Sequence, residues 1–318
     1  MNRSTLAGVV AAGTLALAMA CSEPPRAPTS PTPPSAVVPP TVPAPTPPPT
    51  APPSGPPGRT VTIVAVGDIG MCDRATAVAE TARLVEGIEG QVLLAGDLAY
   101  MQGSPTDFIR CFDPSWGQFR RRWRPVPGNH EYETRDAAGY FQYFGAAASG
   151  MGGRPFYSFR AGDWLVLMLN SNIPTGRGSE QFEFVRQEMR SQPTPCTMAV
   201  WHHPLFSSGP NGPNPFMRDM WGLLYENNAD VIVVGHDHLY ERFGKQDVDG
   251  RSDPRGLRQF TVGTGGAVLY QTQRQEPNSQ ARISAHGVMR MTLHTNHYEW
   301  AFIDTAGRVA DVGGDGCH

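Results

Sequence analysis

The sequence predicts a mixed α/β domain over residues 59–318 of a 318-residue chain, and three observations carry that reading. Four short apolar runs rich in branched residues, at 61–66, 92–95, 198–201 and 231–234, have the length and composition of buried strands. In the first half these runs alternate with helix-like segments. The second half is strand-rich, with further runs at 156–159, 164–169, 259–262, 288–293 and 298–303. Alternation followed by antiparallel-looking strands implies a core of two mixed sheets covered by helices.

Each element has its own signal. Residues 74–88 follow the first strand and predict a helix capped by Asp73, with Ala77, Leu84, Val85 and Ile88 on its inner face. Ser104-Pro105-Thr106-Asp107 reads as a helix start, with a capping serine, proline at the first helical position and an acid at the third. Residues 179–190 and 215–227 predict two more helices. His294 and His297 flank a hairpin turn and are expected to be exposed, while His286 precedes a strand in a structural role. Gly263-Thr264-Gly265-Gly266 has no following Lys-Ser/Thr and no helix start, so it predicts a backbone turn near the site rather than a phosphate loop.

The first 58 residues belong to a different class of sequence. Asn2-Arg3, an apolar stretch over 6–20 and Ala18-Met19-Ala20 have the layout of a secretory signal peptide, residues 1–20, too short in its apolar part for a stable membrane span. Cys21 directly follows the expected cut and resembles the acylated cysteine of bacterial lipoproteins, although Ala18 stands where leucine is usual. Residues 21–58 form a low-complexity tract of Pro, Thr, Ala, Ser and Val with too little apolar bulk to fold. Polyproline II, extended at about 3.1 Å per residue, makes it a semi-rigid stalk. The expected location is the cell envelope (periplasm or cell surface) as a lipoprotein, or the exterior as a secreted protein. Membrane contact is expected only through the N-terminal lipid.

Lys and Arg number 26 against 29 Asp and Glu, a net charge of −3. That balance argues against a nucleic-acid partner or a basic membrane face. The one basic cluster, Arg120-Arg121-Arg122-Trp123-Arg124, reads as a solvated helix end beside a strand. Cys72, Cys111, Cys196 and Cys317 remain once Cys21 is set aside, an even number that suits an oxidising compartment. Of three pairings, Cys72–Cys111 with Cys196–Cys317 is favoured, because it joins two motif-bearing loops and pins the C-terminal tail. No C-x-x-C spacing points to a zinc-thiolate site.

Five blocks carry the chemistry: Gly67-Asp68-Ile69-Gly70, Gly96-Asp97-Leu98-Ala99-Tyr100, Gly128-Asn129-His130-Glu131, His202-His203-Pro204 and Gly235-His236-Asp237-His238. A lone Gly-Asp is an ordinary turn with the carboxylate capping an N–H. Five such blocks at strand ends, supplying Asp, Tyr, Asn and His, form a metal-binding constellation at the place where open α/β sheets put their sites.

In this order the blocks resemble the purple acid phosphatases, within the calcineurin-like metallophosphoesterases. The resemblance covers essentially residues 59–318, including Tyr240-Glu241-Arg242-Phe243 after the last block. It implies a four-layer αββα sandwich with a dinuclear metal centre at the strand C-terminal ends. Asp68, Tyr100 and His238 would hold the first metal and Asn129, His202 and His236 the second, with Asp97 shared. Two metals about 3.5–4 Å apart need such a shared carboxylate. A phenolate site suits iron(III), and the imidazole-rich one suits zinc, iron or manganese. Iron(III) with a divalent ion gives about +5, from which two carboxylates and a tyrosinate remove 3, leaving about +2 to complement a phosphate ester.

The implied activity is hydrolysis of phosphate monoesters, of acid phosphatase type, by hydroxide held between the metals, with His130 as general acid for the leaving oxygen. His203 and Asp237 are placed in supporting or substrate-facing roles. Gly70 stands where the wider superfamily has a histidine, which makes Tyr100 the compensating ligand and favours the purple subgroup. The proline tract stands where larger plant members carry a β-sandwich, so a monomer is expected. Action on diesters or nucleotides is the alternative, shaped by the loop 206–214. A stalked surface protein whose metal site is only structural is the second.

Overall fold

Strand β1 (Val61–Val66) alternates between two cores. Ile63 and Ala65 turn one way, Val64 and Val66 the other, and all four are fully buried. A strand covered on both faces must be apolar throughout, which is why its sequence shows a continuous run. The computed structural model describes residues 60–318. The predicted signal peptide, Cys21 and the proline-rich tract lie outside the described residues.

Strands β1, β2 (Gln91–Ala95) and β3 (Trp123–Val126) run parallel in a six-stranded sheet of order β13-β12-β11-β1-β2-β3. Its other half is an antiparallel meander of β11 (Gly287–Leu293), β12 (His297–Asp304) and β13 (Val309–Gly316). The second sheet has seven strands. Its parallel centre is β5 (Trp164–Met168), β6 (Cys196–Val200), β7 (Val231–Val234) and β9 (Arg258–Val262). Antiparallel β4 (Tyr157–Ala161) closes one edge, and β8 (Tyr240–Phe243) with β10 (Ser279–Ile283) closes the other.

The two sheets face each other across a core that includes Ala65, Leu93, Met198, Val233, Phe260 and Met289. Helix Ala75–Glu86 and the aromatic segment around Phe108, Phe112, Trp116 and Phe144 cover the outer face of the first sheet. Helices Glu180–Ser191 and Arg218–Glu226 cover the second. This is the predicted arrangement of two mixed sheets flanked by helices.

Local differences have simple causes. The first helix begins at Ala75 after a 3-10 turn, Cys72–Arg74, so Asp73 lies inside that turn and caps nothing. Its buried face is Val78, Thr81, Ala82 and Val85, with Leu84 and Ile88 only partly buried. Ser104 does cap, in a reciprocal box with Asp107. The basic cluster is structural: Arg120 pairs with Asp113, and Arg122 donates to the carbonyls of Val85, Ile88 and Gly90 at and just beyond the end of the first helix. Both favoured disulfides are present, Cys72–Cys111 and Cys196–Cys317. His294 and His297 stack on each other beside the hairpin turn and are partly buried rather than exposed.

Candidate metal centre

Five loops bring seven side chains together at the C-terminal ends of β1, β2, β3, β6 and β7. Tyr100 Oη lies 3.1 Å from Asp68 Oδ1, 3.1 Å from His238 Nε2 and 3.3 Å from Asp97 Oδ2. On the far side, His202 Nε2 is 3.2 Å from the same Asp97 Oδ2 and 3.2 Å from Asn129 Oδ1. His236 completes that side, its ring centroid 5.1 Å from that of His202. Asp97 Oδ2 therefore faces both groups, as the shared position would require.

Backbone conformation sets these directions. Asp68, Asp97 and His236 hold φ values of 59°, 50° and 72°, in the left-handed region. Such non-glycine residues cost about 1–3 kcal/mol each and persist only where the surroundings fix them. Here they are fixed: Asp68 N–H donates to Gly96 O, and Asp68 O accepts from Ala267 N–H. His236 N–H donates to Asp68 Oδ2 at 3.0 Å. Gly235 is obligatory beside them, since a Cβ there would sit 2.6 Å from Asp68 Oδ2 and 3.1 Å from His202 Nδ1.

The donor set fits a cation. His202 Nδ1 is 2.8 Å from Ala95 O, and His238 Nδ1 is 2.8 Å from Val268 O. A ring nitrogen facing a carbonyl carries the proton, so each Nε2 turns a lone pair inward. Those lone pairs meet oxygens at 3.2–3.4 Å. Acceptors facing acceptors repel unless a proton or metal lies among them. The titration behaviour carries the same message. Burial alone would lower His202, but Asp97 outweighs it and carries the imidazole up to about 9. Burial alone would raise Asp97, but His202 and then His130 hold it below the usual carboxylate range. Burial, reinforced by Asp68 and Asp97, pushes the Tyr100 phenol well above its ordinary value. His236 is held down to about 4 by burial and by His202.

The remaining expected residues take distinct places. His130 stands beside the cluster: its N–H donates to Asp97 Oδ1 at 2.9 Å, its Nδ1 faces Met101 O, and its Nε2 is 3.9 Å from Asp97 Oδ2. His203 lies against the cluster, its ring centroid 4.5 Å from that of His236 and its Nδ1 2.8 Å from Ser171 Oγ. Asp237 turns away, accepting from Ser207 Oγ–H and from Asn211 N–H, and so holds the 206–214 loop. Gly263-Thr264-Gly265-Gly266 is the expected turn, with Gly265 N–H donating to Gly67 O. A third group with metal-ligand spacing, Cys196, Asp230 and Cys317, has both sulfurs in a disulfide.

Glu131 has a role that its place in the third block did not announce. Its buried carboxylate accepts N–H groups of Gly128, Leu98 and Ala99 at 2.7, 2.8 and 3.2 Å, tying the loop after β2 to the loop after β3. Burial and Asp97 raise it to about 7. Its position three residues after Gly128, at the start of a helical turn, is the acid half of a capping box, a signal that could have revealed it although glycine offers no side chain for the other half.

Comparison with known proteins agrees with this fold. The family model for calcineurin-like phosphoesterases matches residues 61–240. Purple acid phosphatase 21 of Arabidopsis thaliana is 29% identical over 274 residues, covering 76% of this chain and 59% of that protein. Purple acid phosphatase 15 of the same plant is 27% identical over 240 residues, covering 64% and 44%. The chain thus spans about half the length of these relatives. Among solved structures, the yellow lupin purple acid phosphatase PPD1 superposes with a TM-score of 0.68 at 19% identity, over 81% of this chain and 54% of that one. The chain belongs to the calcineurin-like phosphoesterase family, and the two plant relatives compared with it are purple acid phosphatases.

Proposed function

We propose that residues 59–318 form a metal-dependent phosphatase domain that hydrolyses small phosphate monoesters. The observation that supports this most directly is Asp97 Oδ2, placed between Tyr100 Oη and His202 Nε2 at 3.3 and 3.2 Å. Asp68, Tyr100 and His238 would hold one metal, Asn129, His202 and His236 a second, and Asp97 both. Two such ions supply Lewis acidity and a water-derived nucleophile at neutral pH.

The chain's own residues do the rest. The carbonyls of Ala95 and Val268 fix the tautomers of His202 and His238, so both imidazoles present Nε2 inward. His130 N–H holds one oxygen of Asp97 and leaves the other free to be shared. His130 Nδ1–H is engaged by Met101 O, so a second proton at Nε2 makes the imidazolium that would protonate the leaving oxygen. An acid-to-neutral optimum belongs to this reading. Tyr100, held neutral by burial and two carboxylates, would yield its proton only to a strongly acidic ion. We therefore assign iron(III) to its site and zinc, iron or manganese to the other.

Two disulfides support export of the domain. We place residues 1–20 as its signal peptide and 21–58 as a stalk anchored through Cys21, with the domain acting as a monomer.

The test is metal analysis, a visible spectrum and turnover of p-nitrophenyl phosphate against its bis ester on the purified protein. Two metals, a purple tyrosinate band lost in Tyr100→Phe, and preference for the monoester are expected. A colourless active protein would overturn the iron assignment, and faster bis-ester hydrolysis the monoester one. A metal-loaded protein that cleaves neither ester would leave a non-catalytic surface protein as the better reading.

A further inference from the structure

Few large apolar side chains face solvent among the described residues, and three of them gather at the candidate centre. Met101, Phe216 and Val268 are 58%, 49% and 40% exposed. Met101 follows Tyr100, and its carbonyl engages His130 Nδ1. Phe216 sets its ring edge-on to His203, centroids 5.4 Å apart, and His203 in turn lies against His236. Val268 engages His238 Nδ1, and two residues on, the partly exposed Tyr270 stacks on the His238 ring at 4.2 Å and 14°. Tyr270 thus flanks His238 directly, Phe216 flanks His236 through His203, and Met101 lies beside His130, the group placed to protonate a leaving oxygen.

Polar groups on the same rim are already engaged. Asn211 Nδ2 donates to His236 O at 2.8 Å. Arg274, which reaches the 206–214 loop, is held by Glu276 at 2.6 Å and by Ser207 O at 3.0 Å. A second phosphate or a sugar-like leaving group would compete with these contacts for the same side chains. A ring would find apolar surface that water now covers at a cost, and aromatic faces it can stack on.

We infer that the preferred substrates are phosphate monoesters whose leaving group carries an aromatic ring, received by Phe216, Tyr270 and Met101. This rests on the phosphatase reading above. The metal-loaded full chain is to be compared on 2-phenylethyl phosphate and glycerol 3-phosphate, two alkyl esters in which ring rather than bond reactivity differs most. The expected kcat/KM ratio is roughly tenfold or more in favour of the phenyl ester, carried mainly by KM. Phe216→Ala should shrink the ratio by roughly threefold to tenfold, the range of one aromatic contact, and Phe216→Tyr should keep it. A wild-type ratio near one, or a ratio indifferent to both Phe216→Ala and Tyr270→Ala, overturns the inference and leaves the phosphatase reading standing. Turnover of neither ester overturns both.

Discussion

Two regions of this molecule draw carboxylates out of water, fully in one and partly in the other, and they do so in opposite ways. At the ends of the parallel strands, Asp68 and Asp97 meet a phenol, an amide and imidazole lone pairs, with no Lys or Arg paired to either carboxylate. At the C-terminal edge, every charge has a partner. Asp311 accepts from Tyr240 Oη at 2.7 Å, from Arg242 Nε at 2.8 Å and from Trp300 Nε1 at 2.9 Å. Asp315 takes Arg258 Nη2 at 2.7 Å, and the guanidiniums of Arg242 and Arg258 both lie over the Trp300 ring at 5.0 Å. The first cluster is incomplete without a cation, and the second completes itself. Burial of charge alone does not mark a functional site; several buried carboxylates and imidazoles converging without a fixed counter-charge point to one.

The largest effect should come from breaking the first region at its shared atom. Asp97→Asn removes the negative charge between the two groups while keeping the shape. Loss of one electrostatic donor at a reacting centre costs about 10²–10³ in rate, and Asp97 serves both groups, so activity should fall by at least the upper figure. Metal analysis should show fewer than two ions bound. Wild-type metal content in Asp97→Asn would mean that the two groups do not depend on the shared carboxylate.

His130→Ala sharpens the comparison from the rim of the same region. The side chain touches the cluster only through its ring against Tyr100 and the long approach of Nε2 to Asp97, while the contact that holds Asp97 comes from the backbone. Both metals should therefore remain, and the rate should fall by about 10²–10⁴, the usual contribution of general acid catalysis. The loss should shrink for esters with good leaving groups, which need no protonation. Loss of metal would place His130 among the ligands instead.

The same contrast explains what was legible in the sequence. Strands β1, β2, β6 and β7 are buried on both faces, so their apolar runs stand out, and the turns that end them carry six of the seven converging side chains, Asn129 alone following β3. The structure brings those side chains together as the motif order implied. Strand β13, Val-Ala-Asp-Val-Gly-Gly-Asp-Gly, has no propensity for sheet; it is held by Asp311, Asp315 and the Cys196–Cys317 bridge, contacts with strands far away in the chain. Strand β3 hides behind Pro125, and β8 and β10 are short and half polar. Phe216 and Tyr270 depend on contacts between loops that no local pattern encodes. Asp73 shows the reverse case, a good local cap signal displaced by a tight turn next to the Cys72–Cys111 bridge.

The smallest expected effect tests the second region. Asp311→Asn should keep full metal content and activity and cost about 2–3 kcal/mol, within the range for hydrogen bonds to a charged group. In a domain of this size that is roughly 5–10 °C in melting temperature. Its pH dependence follows from sign. Burial alone would raise Asp311, but hydrogen bonds from Arg242 outweigh it and hold the carboxyl below its ordinary 3.8. A carboxylate with a lowered folded value stabilises fully above the unfolded value and loses that contribution only as pH falls through the folded one. The gap in melting temperature between wild type and Asp311→Asn should thus be the same at pH 7 and pH 5, and should close below about pH 3.8. An acid-working enzyme would keep its C-terminal edge clamped across its whole range. A gap already closing at pH 5 would mean that Asp311 is not held down by Arg242, and that the second region is less self-sufficient than its hydrogen bonds imply.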